Sequence, residues 1–157
     1  MKIKLIIIGK TGDTNLVQLE ETYKNRLKHY IPFEVLLIPE LKNTKSLSIA
    51  EQKEKEADLL LKVFDANDEI ILLDEKGQQF TSVDFSTFLE KKQQTGYRNI
   101  VFVVGGAYGF SDRIYNRANS LISLSKMTFS HQMVRVFFLE QLYRAMTIQK
   151  GEPYHHE

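Results

Sequence analysis

Three stretches of this chain combine side chains and glycines in arrangements that could do chemistry. Gly105-Gly106-Ala107-Tyr108-Gly109 follows Ile100 to Val104, the most strand-like run in the sequence. Parallel sheets bind ligands beyond the carboxyl ends of their strands, and adjacent glycines let backbone approach a ligand closely or take positive φ. A sharp turn that needs glycine for geometry alone would look the same, so the residues leave both readings open. Ser123-Leu124-Ser125-Lys126-Met127-Thr128-Phe129-Ser130-His131 supplies hydroxyls, one cation and apolar side chains in quick succession. An adenosine-type ligand wants that mixture, and so does an ordinary loop leading into a helix. The third stretch holds Arg135, Glu140 and Arg144, then Tyr154-His155-His156 at the end. Glu140 and Arg144 are four apart and pair along a helix surface, whereas Arg135 and Arg144 do not share a helix face. Histidine titrates near neutrality and tyrosine stacks on nucleobases.

Other chemistries fail on spacing or composition. Gly9-Lys10-Thr11 suggests a phosphate loop, but that motif needs a glycine where Lys4 stands, so the segment reads as a structural turn. No glycine triplet after the first strand makes a dinucleotide fingerprint. With no cysteine, disulfides, thiolate metal sites and cysteine nucleophiles are excluded.

The elements that must position these residues alternate. Lys2 to Ile8 reads as a buried strand ending at Gly9. Leu16, Leu19, Tyr23, Leu27 and Tyr30 mark one apolar helix face from Asn15 onward, stopped before Pro32. Phe33 to Ile38 is a second strand, residues 40–48 a loop, and Ser48 caps a helix with Ala57, Leu60, Leu61 and Phe64 inside. Asp68 to Asp74 is the third strand, followed by a helix opened by Ser82 or Asp84 and carrying Phe85, Phe88 and Leu89 to near Gly96. After Ile100 to Val104 comes a short helix from Ser111, a fifth strand from Leu121 to Leu124, and a last helix from Gln132 to Ile148. This order predicts an α/β fold, a mostly parallel sheet with helices on both faces, forming one domain over residues 1–157.

Net charge is +1, so no global basic field points to nucleic acid. Basic residues do gather mildly after Ser111: Arg113, Arg117, Lys126, Arg135, Arg144 and Lys150 against Asp112, Glu140, Glu152 and Glu157. There is no bilayer-length apolar run and no secretory leader, so a cytoplasmic location is the default expectation.

Taken together, the Gly105–Gly109 turn, the Leu124–Phe129 loop, the 131–144 helix and the Tyr154-His155 tail resemble the RlmH (YbeA) family, ribosomal RNA large subunit methyltransferase H, of the SPOUT superfamily. The resemblance covers the whole chain. It implies a SPOUT α/β fold with a C-terminal trefoil knot, a homodimer, and S-adenosyl-L-methionine as cofactor. The implied reaction is methylation of N3 of pseudouridine 1915 in 23S rRNA, on ribosomes, with neither metal nor membrane involved. Carried over by position, Leu73, Gly105, Leu124, Ser125, Lys126, Met127, Thr128 and Phe129 are implied to contact the cofactor. Tyr154 and His155 are implied to complete a composite site across the dimer and to help place the nucleotide. For the chemistry itself, His155 is the candidate to assist proton removal, with Tyr154 stacking or positioning and Arg135 or Arg144 steadying phosphate. One residue departs from the family pattern: Ser130 stands where proline is common, losing a fixed φ and adding a hydroxyl. Two rival readings are a non-enzymatic ribosome-associated RNA-binding factor and a flavodoxin-like nucleotide-binding domain. Saturable binding of the sulfonium cofactor would tell against the first, and preference for a phosphorylated nucleotide would favour the second.

Overall fold

In the computed structural model, which describes residues 1–156, five strands form one sheet in the order β2-β1-β4-β3-β5. The strands are β1 (Lys2–Ile8), β2 (Phe33–Ile38), β3 (Asp68–Gln79), β4 (Asn99–Val104) and β5 (Ser120–Ser123), and every pairing is parallel. The helices are α1 (Thr14–Leu27), α2 (Ile49–Val63), α3 (Ser82–Gln93), α4 (Asp112–Arg117) and α5 (Met133–Gln149). Side chains alternate across a strand, and the sheet uses both faces. Ile3, Leu5 and Ile7 join Leu27, Phe85, Phe138 and Leu142 beneath α1, α3 and α5. Ile6 and Ile8 join Ala57, Leu60 and Ile114 beneath α2 and α4. β4 is buried along its whole length, which explains its unbroken apolar sequence.

Local chemistry sets the boundaries. Asp13 caps α1 by accepting from the Asn15 and Leu16 amides. Ser48 Oγ accepts from the Glu51 amide, as expected of a cap. For α3 the cap is Thr81, which accepts from the Asp84 amide, rather than Ser82 or Asp84. α1 ends at Leu27 and leaves Tyr30 in the turn that leads to Pro32, whose carbonyl accepts from the Ile3 amide at 3.0 Å.

The largest difference from the sequence reading is at β3. Read as ending at Asp74, it continues to Gln79 after an irregularity, because β5 residue Ile122 faces both Leu73 and Gln78. Residues 74–77 therefore bulge from the ladder. Gly77 makes the return possible: a Cβ there would lie 2.6 Å from the backbone of Leu121 and Ile122. Among the described residues, no helix is long and apolar enough to cross a membrane.

Candidate active site

The bulge, the glycine turn after β4 and the loop after β5 lie at the same end of the sheet and enclose a cavity of about 560 Å³. Its size falls within the usual range for small-molecule sites. Each wall is backbone held in a defined shape. In the glycine turn, the Gly109 amide donates to the Gly106 carbonyl at 3.1 Å, and Gly109 takes φ +81°. Gly105 and Gly106 are closely approached: a Cβ would come within 3.0 Å of the Phe110 ring at Gly105 and 2.8 Å of the movable Glu56 carboxylate at Gly106. Positive φ is thus confined to the last glycine of the turn.

The bulge contributes Asp74 and Glu75. Asp74 Oδ1 accepts from the Lys76 amide at 2.8 Å, and its Oδ2 takes a short hydrogen bond from the Tyr115 hydroxyl. Burial, then the bond to Asp74, pushes the Tyr115 phenol well above its ordinary value, so it stays protonated. Glu75 accepts from Thr128 at 3.4 Å, which bridges bulge and loop. In the loop, Ser123 Oγ donates to the Ser125 carbonyl at 2.8 Å, and Ser125 Oγ accepts from the Met127 amide at 3.0 Å. Ser130 Oγ accepts from the Met133 amide at 3.1 Å, so its hydroxyl meets an orphan donor at the start of α5.

Of the residues carried over as cofactor contacts, Leu73, Gly105, Leu124, Ser125, Met127, Thr128 and Phe129 line this cavity. Lys126, in the same loop, is not among the residues that line it. Asp74, Glu75, Asp112 and Tyr115 are wall residues that sequence reasoning missed, and His131, from the Ser123–His131 stretch, joins them. Only the oddity of a glycine in a polar strand extension, Glu75-Lys76-Gly77-Gln78, could have signalled the bulge.

The other candidate residues gather elsewhere. Beyond α5 the chain reverses at Gly151, φ +66°, where the Glu152 amide donates to the Thr147 carbonyl at 3.0 Å. This lays the tail back on α5. Arg144 Nη2 donates to Glu140 Oε1 at 2.5 Å, and the Tyr154 hydroxyl donates to the same oxygen at 3.0 Å. Arg144 Nη1 meets His155 Nδ1 at 3.2 Å. A guanidinium can only donate, so Nδ1 is the accepting atom of this contact. Tyr143 packs edge-on against Tyr154 at 4.7 Å, while Tyr23 and Tyr30 pack against Tyr143. None of Arg144, Tyr154 and His155 lines the cavity of its own chain.

Arg135 belongs to neither group. It is 1% exposed and donates to Thr11 Oγ1 at 2.8 Å and to the Ile8 carbonyl at 2.7 Å, with its pKa lowered by burial. α5 crosses the sheet with this position facing inward, so the guanidinium braces the end of β1, and of the two arginines offered for phosphate Arg144 is the more exposed.

Comparison with known proteins adds a whole-chain match. A family model described as a predicted SPOUT methyltransferase matches residues 1–155. Curated relatives named "Ribosomal RNA large subunit methyltransferase H" include one from Parabacteroides distasonis, 60% identical over 100% of both chains. Others come from Christiangramia forsetii, 56% identical over 99% of both, and Flavobacterium johnsoniae, 55% identical over 100% of both.

Proposed function

The chain belongs to the SPOUT methyltransferase family, alongside the ribosomal RNA large subunit methyltransferase H proteins, and from that premise we propose that it methylates 23S rRNA on the ribosome, at N3 of pseudouridine 1915, using S-adenosyl-L-methionine. The observation that carries this reading is the cavity walled by the Gly105–Gly109 turn and the Leu124–Phe129 loop in a chain matched end to end.

The residues present fit that cofactor. Leu73, Ile122, Leu124 and Phe129 offer apolar surface for an adenine ring, and the glycine turn brings backbone close. Asp74, Glu75 and Asp112 face the same space with carboxylates, which suit a ligand that carries a sulfonium and an ammonium. When bound, the cofactor supplies an electrophilic methyl group, so the protein's part is to hold, align and exclude water. Alignment of two reactants can lower a barrier by roughly 7–11 kcal/mol.

The acceptor nitrogen must lose a proton. In our reading His155, oriented by Arg144, assists its removal, Tyr154 packs on the base, and Arg144 faces phosphate. Burial, then hydrogen bonds with Tyr23 and Glu140, holds the Tyr154 phenol well above its ordinary value, so Tyr154 is a donor and not a base at neutral pH.

These groups stand off the cavity of their own chain, which supports a homodimer in which a second copy brings its tail to the first copy's cofactor. Met127 is 77% exposed beside the cavity, and Phe137, at 43%, packs on Phe129, apolar surface of the kind a partner covers. The C-terminal trefoil knot belongs to the same reading.

The deciding experiment incubates the protein with labelled S-adenosylmethionine and ribosomes that lack the modification, then maps the label. Methyl transfer to N3 of that pseudouridine is expected. Transfer to another nucleotide discards the position, and no transfer discards the function. His155→Ala that keeps wild-type turnover as a dimer would remove His155 from the mechanism.

A further inference from the structure

We propose that Glu140 is a positioning residue for methyl transfer, the single carboxylate that fixes Arg144 and Tyr154 relative to each other and, through Arg144, His155. The inference rests on the composite-site reading above and assigns a role to a residue that helix spacing alone marks only as half of a surface ion pair.

One oxygen does the work. Glu140 Oε1 accepts from both Arg144 Nη2 and the Tyr154 hydroxyl, while Oε2 accepts from Gln141 Nε2 at 3.0 Å. Arg144 presents its other nitrogen to His155, and its guanidinium carbon lies 4.7 Å from the centre of the Tyr154 ring. Each proposed reaction group is therefore one or two contacts from Glu140. The pair is also not freely solvated: side-chain exposure is 20% for Glu140 and 24% for Arg144, so screening is weaker than for an ordinary surface pair.

Geometry explains why the tail needs this anchor. Backbone hydrogen bonds carry the reversal as far as Glu152, after which Tyr154 and His155 are held through side chains. Tyr143 supplies a ring for Tyr154 to pack against, but an edge-on contact fixes rotation poorly. The shared oxygen does fix it, because two donors converging on one acceptor set the angle between them. Without the carboxylate, Arg144 and the phenol each lose their acceptor, and Arg144 can swing away from Nδ1 of His155. A misplacement of about 1 Å in reacting groups can cost on the order of a hundredfold in rate.

The test compares full-length Glu140→Ala and Glu140→Gln with wild type on unmodified ribosomes, measuring kcat, S-adenosylmethionine affinity and Tm. We expect Glu140→Ala to lower kcat by about a hundredfold with cofactor affinity unchanged within about twofold. Glu140→Gln keeps an acceptor oxygen of the same reach, so it should recover part of that loss, to roughly a tenfold deficit. Wild-type kcat in Glu140→Ala overturns the proposal, as does a loss that falls equally on cofactor affinity. If Glu140→Ala does not fold, Glu140→Gln decides: full activity in it with the fold intact overturns the proposal. Mixed dimers separate this inference from the reading beneath it. Gly106→Val protomers mixed with His155→Ala protomers test the composite site itself. If that pair regains activity and Gly106→Val with Glu140→Ala does not, Glu140 does not act through its own tail.

Discussion

The cavity and the tail cluster lie along the same helix but are built in opposite ways. Around the cavity, backbone makes the walls: a turn in which a Cβ would crowd its neighbours at two glycines, a bulge closed by a third, and a loop whose serine hydroxyls bind its own amides and carbonyls. Around the tail, side chains do the holding: one carboxylate, one guanidinium, one imidazole and three tyrosines packed around Tyr143. A backbone-walled site is rigid and fails through steric exclusion. A site held by ion pairs and rings can adjust and fails through lost orientation. The difference matches the division of labour proposed above, in which one region grips a small cofactor and the other meets a large RNA.

Four substitutions break or sharpen that contrast, from the largest effect down. Gly77→Ala places a methyl group 2.6 Å from immovable backbone, so the bulge cannot close on β5. Overpacking of this kind costs about 3 kcal/mol, or a Tm lower by roughly 10 °C at this chain length, and cofactor binding should go with it. A thermal melt that matches wild type would show that the bulge is not closed as described.

Gly106→Val meets instead the far end of the flexible Glu56 side chain, which can move aside. Tm should therefore fall by only a few degrees, while S-adenosylmethionine affinity drops by about a hundredfold, the cavity having lost its close backbone approach. Calorimetric titration that returns wild-type affinity would undo the assignment of this wall.

Arg144→Lys should behave in the reverse sense. An ammonium cannot span Glu140 and His155 as a planar fork does, so kcat falls by about 10–100-fold while cofactor affinity stays put. Equal losses in both would erase the distinction between the two regions.

The smallest effect concerns the carboxylate behind the glycine turn. Burial raises the Glu56 pKa above its ordinary 4.5, against a hydrogen bond with Gln52 that lowers it. A raised carboxyl pKa contributes stability that is complete below 4.5 and is lost as pH rises through the folded value. Glu56→Gln removes that loss, so it should give a small rise in Tm at pH 8 that vanishes as pH falls below 4.5. A gain that persists unchanged in acid would mean that charge burial is not its source.

Much of the architecture was legible because its signals are local. Five apolar runs alternating with helical patterns required a parallel sheet with both faces covered, and Ser48, Gly105 and Pro32 mark their elements through their own chemistry. Resemblance named most of one cavity wall. The burial of Arg135 was not legible, because a guanidinium on a helix reads as exposed until the sheet beneath it is placed.

The sequence by itself determined the element types, their order, the glycines at the turn after β4 and the ionic pairing of Glu140 with Arg144, all of which depend on neighbours a few residues apart. Only the tertiary structure decided that β3 resumes beyond its bulge, that Asp74 and Glu75 face the same space as Thr128, and that the tail doubles back so that one oxygen of Glu140 serves two donors. Those arrangements depend on chain segments tens of residues apart meeting within 3 Å or so, and no periodicity along a strand or helix encodes where a distant backbone will arrive.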